Sequence, residues 1–117
     1  MAIKNPKKKG YALEHKIVQE CRKRDLSVVR AWASDGKSIG QESDVDVVIE
    51  AGYTTYRVQA KSRKAISSYI LPSKNADIQV IKGDYIPAHA VLPLTDLLDL
   101  LILKDYAKDI NESRNDD

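Results

Sequence analysis

A chain of 117 residues is enough for one domain with a single buried core, and no stretch of it reads as a linker. Its 19 Lys and Arg against 17 Asp and Glu leave a net charge of only +2, so the total does not announce a polyanion partner. The single cysteine, Cys21, excludes an intramolecular disulfide and, with only two distant histidines, argues against a structural zinc site; no apolar run is long enough to cross a bilayer.

The elements follow one another without an internal repeat. Residues 1–8 are basic and expected to be loose, and nothing after them resembles the apolar core of a signal peptide. A cytoplasmic protein is therefore expected, in a prokaryotic cell or in the host of a virus. From Gly10 to about Asp25, Leu13, Ile17 and Cys21 recur every fourth residue with Val18 beside them, the pattern of an amphipathic helix. Val28 to Ala33 is rich in β-formers and predicts a first strand, and Ser34 to Ser43 is a polar, glycine-containing loop.

Two further strands are predicted over Asp44–Glu50 and Thr54–Lys61. Residues 65–76 suggest at most a short helix ended by Pro72, and short strands follow at Ile78–Lys82 and Ala88–Leu92. Thr95 is placed to cap a last helix running to about Lys108, with 111–117 expected to fray. The order helix, three strands, connector, two strands, helix predicts an α/β domain built on one mixed sheet. In the last helix Leu94, Leu97, Leu98 and Leu101 can line one face, while Leu100 and Leu103 widen it. So broad a stripe serves either the protein's own core or a two-fold interface.

Charge is unevenly distributed. Lys4, Lys7, Lys8, Lys9, Lys16, Arg22, Lys23 and Arg24 face only Glu14, Glu20 and Asp25 in the opening quarter, and Arg57, Lys61, Arg63 and Lys64 form a second cluster without acids. Such asymmetry suits a phosphate-rich partner, although a solvated surface produces it equally well.

Turn chemistry then decides which side chains meet. Glycine at the first central position favours a type II′ hairpin turn at Gly52-Tyr53, which pairs Ala51 with Thr54, Asp46 with Gln59 and Asp44 with Lys61. A turn at Ala51-Gly52 would need positive φ at alanine, and a four-residue loop from Ala51 to Thr54 keeps the same register. A carboxylate, an amide oxygen and an ammonium come together in this way. Oxygen ligands of this kind can hold a hard divalent cation, and a lysine beside it can orient water or steady developing negative charge. Taken by spacing alone, the same pairs also describe a solubilised strand face.

The segments GYALEHKIVQECRKRDLSVVRAWAS, DVDVVI and VQAKSRK together resemble the archaeal-type Holliday-junction resolvases, a branch of the PD-(D/E)xK nuclease superfamily. The matching positions are Gly10, Glu14, Arg30, Ser34, Asp46 and Gln59-Ala60-Lys61, spanning about Lys9 to Lys64. Valine precedes Asp46 where the family has proline, and Gln59 stands where it usually has an acid, which removes a negative charge from the metal site.

The resemblance implies a restriction-endonuclease-like domain with a central mixed sheet flanked by helices. It implies a homodimer that cuts four-way DNA in recombination and repair, using Mg²⁺ with Mn²⁺ able to substitute. Water would attack the phosphorus in line with the departing 3′ oxygen and leave a 5′-phosphate. The residues it points to are Glu14, Ser34, Asp46, Gln59 and Lys61 as the catalytic set, with Glu14, Asp46 and Gln59 as metal ligands. Lys7, Lys8, Lys9, Arg30, Ser34, Arg63 and Lys64 would contact DNA, mainly its phosphates. Trp32 and Tyr11 read as packing residues, with a place against DNA open to either, and His15 and His89 carry no expected catalytic role. Two other functions fit the same pattern: a non-catalytic junction-binding dimer, and a nicking, repair or restriction nuclease of the superfamily.

Overall fold

The computed structural model describes residues 6–31 and 35–115, and the side chains of 10–31 and 35–114. Helix α1 (Pro6–Lys23) leads to strand β1 (Ser27–Arg30) and a 3₁₀ turn (Gly36–Ile39). Strands β2 (Val47–Ala51), β3 (Thr54–Val58), β4 (Gln79–Ile81) and β5 (His89–Val91) follow, and helix α2 (Leu94–Asn115) ends the chain. The fold is mixed α/β.

Instead of the one mixed sheet expected, the described residues form two antiparallel ones, β1-β2-β3 and β4-β5. The cause lies in the connections. A parallel pair needs a long crossover, usually through a helix, and among the described residues no α-helix lies between β1 and β5. The expected helix near residues 65–76 is absent too; that stretch makes isolated turns, with Ile70 N bonded to Ser67 O at 3.0 Å and Ala76 N to Ser73 O at 3.0 Å. The chain divides into two compact units, Met1–Ser62 with Leu98–Asp117, and Arg63–Leu97.

In the first unit, α1 begins four residues earlier than its periodicity suggests, because proline is well suited to a first helical position. Its buried stripe is Glu14, Ile17, Val18 and Cys21, spaced by three and four residues. It ends in a Schellman motif: Leu26 N bonds Cys21 O at 2.9 Å, Asp25 N bonds Arg22 O at 3.1 Å, and Asp25 takes a left-handed φ of 57°. Leu26 and Cys21, the motif's apolar pair, are both buried. The core continues with Ala31, Val45, Val47, Val48, Ile49 and Ala51, and is closed by Leu98 and Leu101 of α2. Full burial of one such valine, leucine or isoleucine contributes about 1.5–3 kcal/mol.

The hairpin turn forms as its glycine requires. Gly52 has φ 62°, Tyr53 does not share the positive φ, and Ala51 pairs with Thr54. A Cβ at Gly52 would lie 3.1 Å from Lys104 Cβ and Lys104 O, so α2 also needs the glycine's small size. Helix α2 grips this hairpin. Asp105 Oδ1 accepts from Gly52 N at 2.6 Å, and Lys104 Nζ donates to Thr54 Oγ1 at 3.0 Å and to the Tyr56 hydroxyl. Arg24, just beyond α1, donates to Asp99 Oδ1 at 2.7 Å and fastens the two helices together.

Helix α2 starts one residue before Thr95, so Thr95 is inside the first turn and not its cap, and it runs seven residues past Lys108. Of its expected face only Leu98 and Leu101 are buried; Leu97, Leu100 and Leu103 are exposed. No described helix is long and apolar enough to cross a membrane.

Candidate active site

Glu14 lies on the buried stripe of α1 and is only 2% exposed. A carboxylate removed from water is costly unless a charge or hydrogen bonds compensate it. Arg30, from β1, supplies the charge: its Nε lies 3.7 Å from Glu14 Oε1. The guanidinium is itself steadied by α1, through a 3.2 Å bond from Nη2 to Tyr11 O and a Tyr11 ring 5.8 Å from Cζ. Arg30 therefore spans from Tyr11 to Glu14, one turn further along the helix.

Asp46 comes to the same end of the sheet by a departure from regular pairing. Its carbonyl accepts from Ala31 N at 2.8 Å, in register with the pairing of Arg30 with Val47. Towards β3 the register slips: Asp46 N donates to Val58 O at 2.8 Å, although Val58 is the ladder partner of Val47. Two residues opposing one is the pattern of a β-bulge, which redirects the bulged side chain. Asp46 is accordingly 9% exposed, and its Oδ2 accepts from Ala60 N at 2.7 Å.

This alters the expected constellation. The predicted register is present from Ala51–Thr54 to Val47–Val58, but Asp46–Gln59 and Asp44–Lys61 are not rungs of the ladder. The bulge ends the pairing first, and strict alternation could not foresee it. Gln59 and Lys61 lie beyond the end of β3 and are exposed, while Asp46 binds the backbone of Ala60 between them.

Ser34, and with it Trp32, lies outside the described residues; Lys7, Lys8 and Lys9 stand in the first turns of α1 with side chains outside them. Arg63 and Lys64 belong to the second unit and are exposed. Among the described residues no group of three or more His, Cys, Asp and Glu side chains is positioned to hold a metal ion. Cys21 is fully buried and packs in the core, and that burial pushes its thiol pKa up.

Two contributors escaped the sequence reading. Tyr11, expected to pack or to lie against DNA, supplies the carbonyl that steadies Arg30. Gly36 lets the loop before β2 close: a Cβ there would stand 1.9 Å from Glu42 O and 2.7 Å from Val45 O. A signal for this compact loop was present. Asp35 caps the 3₁₀ turn by accepting from Lys37 N at 3.1 Å, and Gly40 closes it with φ 76°. No family model, curated protein or solved structure matches the chain.

Proposed function

We propose that this protein is a metal-dependent, structure-selective DNA endonuclease that resolves four-way junctions by phosphodiester hydrolysis. In this reading the chain folds as a single restriction-endonuclease-like domain and acts in the cytoplasm. One observation carries it: two acidic side chains from separate elements, Glu14 and Asp46, are both buried at the end of the sheet where Arg30 stands. Acids are seldom buried so fully without a partner or a task. The resemblance over Lys9–Lys64 assigns the task.

The donor chemistry suits a hard cation, since Glu14, Asp46 and Gln59 all offer oxygen. Asp46 has Oδ2 engaged by Ala60 and would ligate through Oδ1. A bound Mg²⁺ or Mn²⁺ would neutralise the phosphate and lower the pKa of a ligated water. The protein's own part is positional. Arg30 sits beside the Glu14 carboxyl and positions it, Ala60 N–H orients Asp46, and Lys61, exposed past β3, steadies negative charge on the phosphate. Ser34 contacts the scissile strand. Arg30, Arg63, Lys64 and the Lys7–Lys9 run contact the DNA backbone, which favours recognition by shape over sequence. A second copy seated on the exposed leucines of α2 would present two sites to opposed strands of a symmetric junction.

The exposed, neutral Gln59 favours one other reading, a junction-binding dimer without catalysis. Synthetic four-way junctions and linear duplexes, each with Mg²⁺ or Mn²⁺, separate the two. Junction cutting is expected, with duplexes spared. Asp46→Ala should lower cutting by at least about 10²- to 10³-fold while junction affinity stays near that of the native chain. Equal cutting of both substrates would point to a nicking, repair or restriction nuclease. If only Gln59→Glu cuts, the non-catalytic reading is correct, and failure with either metal in both proteins removes the enzyme altogether.

A further inference from the structure

Two non-glycine residues among those described hold a left-handed backbone, Asp25 at φ 57° and Tyr85 at φ 62°. Asp25 is accounted for, since aspartate tolerates this region and the Schellman bonds reward it. Tyr85 has no such return. It occupies the third position of the turn Gly83–Ile86 between β4 and β5, where positive φ calls for glycine or asparagine. The turn's own bond, Ile86 N to Gly83 O, is a long 3.4 Å. Tyr85 is fully exposed, so no packing within the chain offsets the strain.

The surroundings of that ring suggest what does. Lys82 Nζ donates to Gly83 O at 3.2 Å, which folds the ammonium over the same turn, and Ile86 beside it is 53% exposed. A hairpin tip with a protruding flat ring, a cation against the turn and an aliphatic flank matches the chemistry of a base-stacking site: ring on nucleobase, ammonium toward the adjoining phosphate. We infer that the β4–β5 tip binds nucleic acid by stacking Tyr85 on an unpaired or unstacked base, with Lys82 paired to the neighbouring phosphate. A ring so placed enters a gap between bases, which branch points and single strands offer and continuous duplex does not. The tip would therefore supply selectivity for distorted DNA. This inference rests on the nucleic-acid reading above.

Binding is measured without divalent metal, by fluorescence anisotropy, on a four-way junction, a single strand and a linear duplex. Tyr85→Gly should weaken junction and single-strand binding by about 5- to 150-fold, the loss of one base–aromatic stack, and leave duplex binding unchanged. Tyr85→Phe should bind as the native chain does. Because glycine accepts the backbone angle freely, Tyr85→Gly should melt at or above the native temperature. Unchanged affinity in Tyr85→Gly, an equal loss on duplex, or a lowered melting temperature each overturns the inference while the nuclease reading stands. A native chain that binds neither junction nor single strand overturns both.

Discussion

The two units of this chain use apolar residues in opposite ways. Every described residue that is buried belongs to the first unit, whereas none between Arg63 and Leu97 is. The second unit does not lack apolar residues: Ile66, Tyr69, Ile70, Leu71, Ile78, Val80 and Ile86 are all in it, and all are exposed. What differs is layering. The first unit sets two helices against a three-stranded sheet, so the inward apolar faces have something to close on even though Leu100 and Leu103 of α2 stay exposed. The second has one hairpin of three-residue strands, below the size at which strands shield one another. Apolar content supplies the drive to bury surface, but a second layer is needed before a core exists.

That contrast can be broken by substitution. Leu98→Ala removes a fully buried side chain from the first unit and should cost about 2–5 kcal/mol in urea unfolding. Val80→Thr in the second unit, at a position 67% exposed, should change stability by no more than about 0.5 kcal/mol. Comparable losses from the two would mean that the second unit has a core of its own. Between these extremes stands Gly36→Ala. It sets a methyl against two backbone carbonyls, and overpacking of this kind costs about 1–3 kcal/mol. Its thermal melt should fall, and junction cleavage with it, because the same loop leads into Asp46. A neutral result would show that the loop before β2 is not part of the first unit's close packing.

The smallest effect is a pH dependence at the helix junction. The hydrogen bond from Arg24 holds the Glu20 carboxyl below its ordinary range, with Lys23 adding to the effect. A lowered carboxylate pKa stabilises the folded state fully above the unfolded value, and the contribution fades as pH falls through the folded value. Glu20 keeps some contact with solvent and Lys23 is exposed, so the gain is small and salt-sensitive. The melting-temperature difference between the native protein and Glu20→Gln should be near zero in strong acid and should favour the native chain at neutral pH. A difference that stays constant with pH would assign the contact to packing.

Much of the first unit is legible in local chemistry. The stripe Leu13, Ile17 and Cys21, with Val18 beside it, predicted α1, and glycine at position 52 predicted both the turn and the register of five residue pairs, from Ala51–Thr54 to Val47–Val58. Glu14 and Arg30 were singled out by the resemblance over Lys9–Lys64, and Asp46 by the hairpin register as well. What pattern could not reach was their environment. The bulge that buries Asp46 depends on Val58 accepting where Val47 already pairs, a relation between strands that neither strand encodes alone. Arg30's hold on Glu14 likewise required α1 to pack on β1.

Sequence by itself determined where the helices and the hairpin form, because periodicity, capping and glycine's positive φ act within a few neighbouring residues. Only the tertiary structure decided that the strands form two antiparallel sheets, that Asp46 is buried while Gln59 and Lys61 are exposed, and that Tyr85 stands clear of the chain on a strained turn. Each of these depends on which distant segments meet, and burial and strain belong to the meeting, not to the residue.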